Sequence, residues 1–323
     1  MDILVTGCAG YIGSVTCEML LNEGHNVAGL DNLLTGHRQA VPEGVVFYEA
    51  DLADREELNE IFSRHRPEAV IHFAGRTLVG ESMEKPDLYF RENIDCGLNL
   101  LEQMKQTGAK RIVFSSSAAT YGQPEETPIV EDTPKNPTNP YGESKLMFER
   151  ILEWYRRIHG IEFVALRYFN ACGASERFGE DHDPETHLIP LVLKTALGQR
   201  QFIEIYGDDY PTPDGSCVRD YIHIIDLAQA HLLALREDAA GAYNLGNGDG
   251  YSVTEVIQAA ERVVGKAINH RVGPRRPGDP AVLVAGSEKI RNQLGWNPKY
   301  PELERIIESA WRWHKEHPNG YER

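Results

Sequence analysis

MDILVTGCAGYIGS, residues 1–14, contains the pattern that decides the fold of this chain. The apolar run Ile3–Val5 predicts a short strand at the start. Gly7, Gly10 and Gly13 then predict a tight turn whose backbone N–H groups approach a ligand closely. An amphipathic run directly after the turn predicts a helix, and the N-terminus of a helix favours negative charge. This stretch therefore predicts a phosphate-binding site.

The second apolar run, Val27–Leu30, ends at Asp31. A carboxylate at the tip of a second strand accepts hydrogen bonds from both ribose hydroxyls and repels a 2′-phosphate, so Asp31 predicts NAD rather than NADP. The glycine spacing is G-x-x-G-x-x-G and not G-x-G-x-x-G. The prediction therefore depends on the strand before the glycines, the helix after them and the later acid. The alternative is an ordinary glycine-rich turn.

The first half of the chain alternates β-rich runs with helical runs. We predict further strands at 45–51, 69–75, 111–117 and 163–170, and helices at 55–65, 87–106 and 142–159. Alternating strands and helices predict a Rossmann-type, doubly wound parallel α/β sheet with right-handed crossovers. Ligands bind beyond the carboxyl ends of such strands, where Asp31, Asp51, Gly75 and Ser117 lie.

The composition changes after Asn170, where glycine, proline and aspartate become frequent. We predict an NAD-binding domain over 1–170, to which 220–247 returns. A smaller C-terminal α/β domain, over 171–219 and 248–323, would bind the substrate. Its predicted elements are helices at 188–197, 253–264 and 303–315 and a loop at 271–280, and the strand at 242–248 belongs to the returning segment.

Charge and hydropathy exclude several classes of function. The formal net charge of −16 argues against binding to nucleic acid or to an anionic membrane surface. No apolar run approaches the 18 or more residues of a membrane-spanning helix. Met1 and Asp2 lead directly into the first strand without a basic region, so no signal peptide is predicted. Five scattered cysteines indicate free thiols in a reducing cytoplasm.

His182, Asp183 and His187 are the nearest approach to a metal-binding pattern. They lie in a stretch rich in glycine, aspartate and proline, and they lack the i,i+4 spacing of ligands on a helix. We predict a plain loop here and no metal.

Tyr141 and Lys145 lie four residues apart, directly after Pro140, so they share one face of a predicted helix. A lysine charge about 6 Å away favours the phenolate by roughly 3 kcal/mol at an effective dielectric near 20. A nearby nicotinamide cation would act in the same direction, and together they would bring the pKa of the phenol towards neutrality, where a general base works best. The alternative is an incidental pair on a surface helix.

FSSSAATYG, residues 114–122, ends a predicted strand in three serines. Ser117 precedes Tyr141 by 24 residues, a plausible crossing distance for the two to share a hydrogen bond with one substrate hydroxyl. The alternative is a serine turn at the end of a strand.

GCAGYIG, FSSSAATYG, Tyr141-x-x-x-Lys145 and RYFN (167–170) together resemble the extended short-chain dehydrogenase/reductases. HLIP, GDDYPTPDGSCVRDYIHIIDLA and RRPGD follow in order, and they extend a resemblance to the UDP-sugar 4-epimerases of that family from Met1 to about Trp296. The resemblance implies NAD-dependent interconversion of UDP-galactose and UDP-glucose through a 4-keto sugar. It also implies a homodimer formed through the helices at 87–106 and 142–159.

The resemblance assigns roles to individual residues. Tyr141 would be the base, Lys145 would lower its pKa and bind the nicotinamide ribose, and Ser117 would position the 4-hydroxyl. The other implied NAD contacts are Gly7, Gly10, Tyr11, Ile12, Gly13, Asp31, Asn32, Asp51, Leu52, Phe73, Ala74, Gly75, Asn93, Ser115 and Tyr168. The other implied UDP-sugar contacts are Asn170, His187, Leu188, Tyr206, Arg219, Arg276, Asp279 and Leu283.

The chemistry of these substrate residues is consistent with a nucleotide sugar. Arg219 and Arg276 offer forked donors to a pyrophosphate, Tyr206 offers a ring face to uracil, and Asp279 accepts from ribose hydroxyls. Without the resemblance, Tyr206 reads as a core residue and each arginine as an ordinary surface or ion-pair residue.

Two residues depart from the pattern of the family. Thr77 stands where a lysine near the nicotinamide ribose is frequent, and His187 stands where asparagine is common.

Leu283, four residues after Asp279, stands where a tyrosine confines the pocket to UDP-hexoses. We therefore predict slower additional activity on UDP-N-acetylhexosamines.

Three other functions compete with the implied one. A 4,6-dehydratase is disfavoured because Ala118, Ala119 and Thr120 follow Ser117 in place of the required acids. A UDP-pentose 4-epimerase acting on UDP-arabinose and UDP-xylose stays open. An NAD-sensing regulator without chemistry would be expected to lose the Tyr–Lys pair or the basic residues, and this chain keeps both.

Met147, Ile151, Trp154, Tyr155 and Ile158 recur at helical spacing in the 142–159 helix. Core packing is the simplest interpretation of this apolar stripe, and the implied dimer interface is the alternative.

Overall fold

A computed structural model describes residues 1–276 and 279–321. The strands are β1 (Asp2–Thr6), β2 (Asn26–Asp31), β3 (Val46–Glu49), β4 (Ala69–His72), β5 (Arg111–Ser117), β6 (Glu162–Tyr168), β7 (Asn170–Cys172), β8 (Ile203–Tyr206), β9 (Val218–His223), β10 (Gly241–Leu245), β11 (Gly250–Ser252), β12 (His270–Gly273) and β13 (Val282–Leu283). The helices are α1 (Tyr11–Asn22), α2 (Arg55–His65), α3 (Val79–Glu84), α4 (Pro86–Phe90), α5 (Cys96–Thr107), α6 (Pro140–His159), α7 (Leu188–Ala196), α8 (Ile224–Leu233), α9 (Val253–Val264), α10 (Glu288–Leu294) and α11 (Leu303–Glu316). Among the residues described, no helix is long and apolar enough to cross a membrane.

Seven strands form one parallel sheet in the order β10-β6-β5-β4-β1-β2-β3. The side chains of β1 explain why this sheet is covered on both faces. Ile3 and Val5 belong to a buried cluster with α1 and α8, whereas Leu4 belongs to a cluster on the other face with α5 and α6. This confirms the predicted doubly wound parallel sheet.

The second half of the chain forms smaller sheets beside the first. β9 pairs with β7, β11 and β13, and β8 pairs with β12. Helices α7, α9 and α11 share a third buried cluster. These elements lie mostly in the segments expected to bind the substrate, and the division into two domains stays a prediction.

β9 pairs in the small sheet, whereas α8 packs on α1 and β10 pairs with β6, so the proposed return to the first domain would begin at α8. Two local expectations need correction. The expected loop at 271–280 begins as β12, and Pro277 and Gly278 lie outside the described residues. The expected helix at 87–106 contains a π-helical turn, residues 91–95, between α4 and α5.

Helix α6 has an apolar face that the fold leaves uncovered. The expectation of core packing is wrong for Trp154 and Ile158, which are 60% and 66% exposed. Met147, Ile151 and Tyr155 are partly buried on the same helix. Two large apolar side chains one turn apart on α6 are therefore exposed in the single chain.

Candidate active site

The glycine-rich turn after β1 fits only glycine at two of its three positions. Gly7 has φ +74°, and a Cβ there would lie 2.7 Å from the Ala74 nitrogen. A Cβ on Gly13 would lie 2.0 Å from the Gly7 carbonyl oxygen, whereas one on Gly10 would lie 3.4 Å from the same atom. The turn leads into α1, whose first N–H groups have no partner within the helix. The backbone is therefore shaped to accept a diphosphate.

Asp31 lies beside this turn at the end of β2. One carboxylate oxygen accepts from the Ala9 N–H and the other from the Leu33 N–H, both at 2.9 Å. Burial raises the pKa of this carboxyl, and the two N–H donors oppose that shift. Each oxygen keeps a second lone pair for a ribose hydroxyl. Nearby, Asn32 donates to Asp51 at 2.8 Å, so the predicted adenosine-side residues meet at one edge of the sheet.

Asn93 connects the end of β4 to helix α6. Its side-chain oxygen accepts from the Arg76 N–H at 2.7 Å, directly after Gly75, which has φ +147°. Its NH₂ group donates to the Ser144 hydroxyl at 2.9 Å. Asn93 thereby fixes the predicted nicotinamide-side turn against the helix that contains Tyr141.

The start of α6 packs directly on the turn after β5. The Asn139 side chain accepts from the Gly142 N–H at 2.8 Å, which caps the helix, and a Cβ on Gly142 would lie 2.4 Å from the Ala119 carbonyl oxygen. This close approach places the Tyr141 phenol beside the Ser117 hydroxyl, which favours the phenolate. The geometry therefore unites two of the three predicted catalytic side chains.

Lys145 completes the group one helical turn later. Its ammonium nitrogen lies 6.0 Å from the centre of the Tyr141 ring and donates to the Ser115 carbonyl oxygen at 3.0 Å. The Ser115 hydroxyl in turn shares a hydrogen bond of 2.7 Å with the Tyr168 hydroxyl. Lys145 is thus held at the distance that the sequence spacing predicts.

The pKa of Tyr141 is raised and not lowered as predicted. Burial raises it, because the enclosed phenolate loses its hydration, and the Ser117 hydrogen bond only partly opposes this. Burial also lowers the pKa of Lys145 to about 8, against the opposing effect of Glu149. The predicted lowering of the Tyr141 pKa included the positive charge of a bound nicotinamide as well as that of Lys145. The protein alone supplies only the charge of Lys145.

Sequence reasoning missed a buried polar network behind these residues. Glu149 accepts from the Ser116 hydroxyl at 2.6 Å and from the Arg167 Nε at 2.9 Å. Arg167 also donates to the Tyr121 hydroxyl at 2.8 Å. Glu149 lies four residues after Lys145 on the same helix, and this spacing was a usable signal. The network anchors α6 to β5 and β6.

A cavity of about 240 Å³ lies in the second half of the molecule. Seven predicted substrate residues line it: Asn170, His187, Leu188, Tyr206, Arg219, Arg276 and Asp279. Of the other predicted substrate contacts, all within the described part of the chain, Ser117, Tyr141 and Leu283 do not line it. Leu283 lies in β13, in register with Arg219 of β9.

The polar side chains of the cavity bind one another. Arg219 donates to Asp279 at 2.6 Å, and the Arg276 guanidinium lies 4.0 Å from the centre of the Tyr206 ring. The Asn170 NH₂ group donates to the Asp220 carbonyl oxygen at 2.8 Å. One face of Tyr206, predicted as a platform for uracil, is therefore covered by a guanidinium.

Arg200, Phe202 and Glu204 also line the cavity, and sequence reasoning did not identify them. Glu204 and Tyr206 lie two residues apart in β8, and Phe202 directly precedes the strand at the same spacing. The three side chains therefore share one face of the strand. The period-two pattern from Phe202 to Tyr206 was the available signal.

The segment 180–187 is more than the plain loop that we predicted. It brings ligand-type atoms of Glu180, His182, Glu185 and His187 within 4.8 Å of one another. Glu180 and His187 also line the cavity. The nearby carboxylates, mainly that of Glu180, outweigh burial and raise the pKa of His187 to about 10.

The glycine-rich turn, the group of Ser117, Tyr141 and Lys145, and the cavity with three arginines are typical of a nucleotide-dependent α/β enzyme. The model of the NAD dependent epimerase/dehydratase family matches residues 3–246, and the chain belongs to that family.

Its relatives are closely similar over nearly the whole length. The UDP-glucose 4-epimerase of Halalkalibacterium halodurans is 54% identical over 327 residues, covering 99% of this chain and 98% of that protein. A solved UDP-glucose 4-epimerase is 50% identical with a TM-score of 0.97, covering 99% of both chains. The Bifidobacterium longum enzyme, solved with NAD+ and UDP, is 41% identical with a TM-score of 0.94, covering 99% of this chain and 100% of that one.

Proposed function

We propose that this chain catalyses the NAD-dependent interconversion of UDP-galactose and UDP-glucose through a 4-keto sugar. The observation that carries the proposal is the placement of the Tyr141 phenol beside Ser117, with the Lys145 ammonium nitrogen 6.0 Å from the centre of the phenol ring. This group lies at the same sheet edge as the glycine-rich turn and Asp31. The names of relatives about half identical to this chain support the same reaction.

The residues present fit NAD, since the turn has no room for a Cβ at Gly7 or Gly13 and Asp31 retains lone pairs for ribose hydroxyls. When bound, NAD supplies a hydride acceptor that takes hydride from C4 of the sugar and returns it to the opposite face. Tyr141 removes the proton of the 4-hydroxyl onto its phenolate oxygen and later returns it to the sugar oxygen. Ser117 orients that hydroxyl, and Lys145 stabilises the phenolate and binds the nicotinamide ribose.

The cavity holds the UDP portion while the 4-keto sugar turns over. Arg219 and Arg276 donate to the pyrophosphate, and Asp279 accepts from the uridine ribose. Because Arg219 and Asp279 are paired with each other at 2.6 Å, binding exchanges this ion pair for contacts with the substrate.

One assay tests the function and its competitors together. Purified protein is incubated without added NAD with UDP-galactose, UDP-arabinose, UDP-N-acetylglucosamine or UDP-N-acetylgalactosamine, and the products are identified. We expect UDP-glucose from UDP-galactose at the highest rate, with NAD extracted from the protein. Fastest turnover of UDP-arabinose would favour the pentose epimerase, and no turnover would favour the NAD-sensing regulator. Extraction of NADP, or net release of NADH, would contradict the proposal.

We further propose that the chain forms a homodimer through α5 and α6. The exposed Trp154 and Ile158 on α6 support this surface, because apolar side chains of this size are seldom left in water as neighbours. Trp154→Glu should convert the dimer to a monomer in sedimentation velocity, whereas Arg262→Glu on the exposed face of α9 should not. A wild-type monomer at micromolar concentration would contradict the proposal.

We place the protein in the cytoplasm. Support comes from its five cysteines, which form no disulfide although all of them lie in the described part of the chain. Fractionation of cells with a tagged chain tests this location.

A further inference from the structure

We propose that Glu180, His182, Glu185 and His187 form a binding site for a divalent metal ion, Zn²⁺ by ligand preference, in the wall of the cavity. The two imidazoles alternate with the two carboxylates. The His187 Nδ1 lies 2.8 Å from a Glu180 oxygen and 3.1 Å from a Glu185 oxygen. The His182 Nδ1 lies 3.3 Å from the same Glu180 oxygen and 3.6 Å from the other Glu185 oxygen.

These separations are close to those between the ligands of one metal ion. Zinc binds nitrogen and carboxylate oxygen at about 2.0–2.2 Å, which places the ligand atoms of a tetrahedral site about 3.3–3.6 Å apart. The four measured separations, which involve both Glu185 oxygens, span 2.8–3.6 Å, and one ligand atom from each residue lies within 4.8 Å of the others. An ion at their centre would require the shorter pairs to move apart.

Two atoms of the cluster have no hydrogen-bond partner although they are buried. They are the His182 Nδ1 and the Glu185 Oε2, and the Glu185 side chain is only 4% exposed. Buried polar atoms are nearly always paired, so two such atoms facing each other point to a ligand between them. A metal ion would satisfy both, and on binding it would displace the imidazole protons, so that its two positive charges would replace theirs beside the two buried carboxylates.

The donor set selects the class of metal. Two imidazole nitrogens and two carboxylates suit Zn²⁺ and neighbouring transition metals, whereas Ca²⁺ and Mg²⁺ prefer oxygen alone. Four protein ligands leave no open position for water, which is typical of a structural site and not of a catalytic one. The spacing E-x-H-x-x-E-x-H lies on irregular backbone, so no helical periodicity reveals it in the sequence.

The position of the cluster indicates what the ion would hold together. The His182 ring meets the edge of Tyr11, at the start of α1, with 6.3 Å between ring centres. His187 directly precedes α7, and its carbonyl oxygen accepts from the Leu191 N–H at 3.2 Å. A bound ion would therefore fix the cavity wall between the glycine-rich turn and α7.

Metal binding is tested on the whole protein with ZnCl₂ as the probe. After dialysis against a chelator, the wild type should take up about one zinc per chain, measured by elemental analysis and by isothermal titration. Glu185→Gln and His182→Asn should weaken zinc binding at least tenfold. Glu176→Gln, an exposed acid on the preceding turn, should bind zinc like the wild type. Equal zinc uptake by wild type and Glu185→Gln, or none by the wild type, would overturn the proposal.

The shift of Tm with Zn²⁺ is a second measurement, and it tests the proposal on the wild type even if a ligand variant folds poorly. Zn²⁺ should raise the Tm of the wild type and of Glu176→Gln, because a ligand that binds the folded state stabilises it. The shift should disappear in either ligand variant, and circular dichroism establishes which variants are folded. An unchanged wild-type Tm at saturating Zn²⁺ would also overturn the proposal.

A kinetic effect rests on the proposed function and is measured separately. Removing the ion should raise KM for UDP-galactose several-fold with little change in kcat, because the ion holds the cavity wall and not the reacting atoms. Zinc uptake without epimerase activity would support the metal site and reject the proposed function. Epimerase activity without zinc uptake would support the proposed function and reject the metal site.

Discussion

The two halves of the molecule prepare for their ligands in opposite ways. Around the glycine-rich turn, the backbone itself forms the site, and Gly7, Gly13 and Asp31 are already fixed by close backbone contacts. In the cavity, side chains are paired with each other, as in the ion pair of Arg219 with Asp279. We infer that the half with the glycine-rich turn, the nucleotide half, binds NAD with little rearrangement. The half with the cavity exchanges contacts among its own side chains for contacts with the UDP-sugar.

The largest expected effect is at Tyr141, the proposed base. Tyr141→Phe removes the general base and should lower kcat at least about a hundredfold. KM should change little, because the phenol is not among the cavity-lining groups. Steady-state rates with UDP-galactose measure this. Tyr155→Phe makes the same change further along α6 and should keep normal turnover, and a near-normal kcat in Tyr141→Phe would reject the assignment.

The next effect tests whether the nucleotide half is rigid. In Gly13→Ala the new Cβ would meet the Gly7 carbonyl at 2.0 Å, so the turn must deform. Overpacking of this kind costs typically about 1–3 kcal/mol, and we expect a lower Tm and loss of co-purified NAD. Gly10→Ala places its Cβ 3.4 Å from the same carbonyl oxygen, so this variant should lose much less bound NAD and much less thermal stability. Equal NAD content in both variants, measured after denaturation, would show that the turn adapts.

Arg219→Lys tests the exchange of partners in the cavity. Lysine keeps the charge but loses the forked geometry towards both Asp279 and the pyrophosphate. Losing one charge-assisted hydrogen bond costs about 1.5–3 kcal/mol, so KM for UDP-galactose should rise at least about tenfold. Arg262→Lys, whose arginine pairs with Glu304 on the surface, is the control. An unchanged KM in Arg219→Lys would mean that the ion pair does not open for the substrate.

The smallest effect concerns substrate width. Leu283 lies beside Arg219 in register, and a tyrosine there should close the space that an acetamido group needs. Leu283→Tyr should abolish the slower UDP-N-acetylglucosamine activity and spare that with UDP-galactose. Leu283→Met conserves volume and should retain both. The gate prediction fails if the wild type shows no acetamido turnover, or if Leu283→Tyr lowers both rates equally.

The same contrast explains what could be predicted from the sequence. Regular backbone leaves periodic patterns, so the seven-stranded sheet and the helices around Tyr141 and Lys145 were predictable. Phe202 and Glu204 were missed because short strands give weak patterns. The segment 180–187 was predicted to be a plain loop, because its cluster lies on irregular backbone without helical spacing. Trp154 was misplaced because an apolar stripe does not distinguish a core from an interface.

The position of β10 has a consequence for protein synthesis. β10 is an edge strand of the first sheet and pairs with β6, although about 75 residues separate the end of one from that of the other. At a synthesis rate of about 5–20 residues per second, the edge of β6 stays unpaired for roughly 4–15 s while the ribosome makes the intervening elements. An unpaired edge is a template for association with other chains. The nascent chain therefore exposes this unpaired edge during that interval, and slowing translation between residues 170 and 245 would lengthen it.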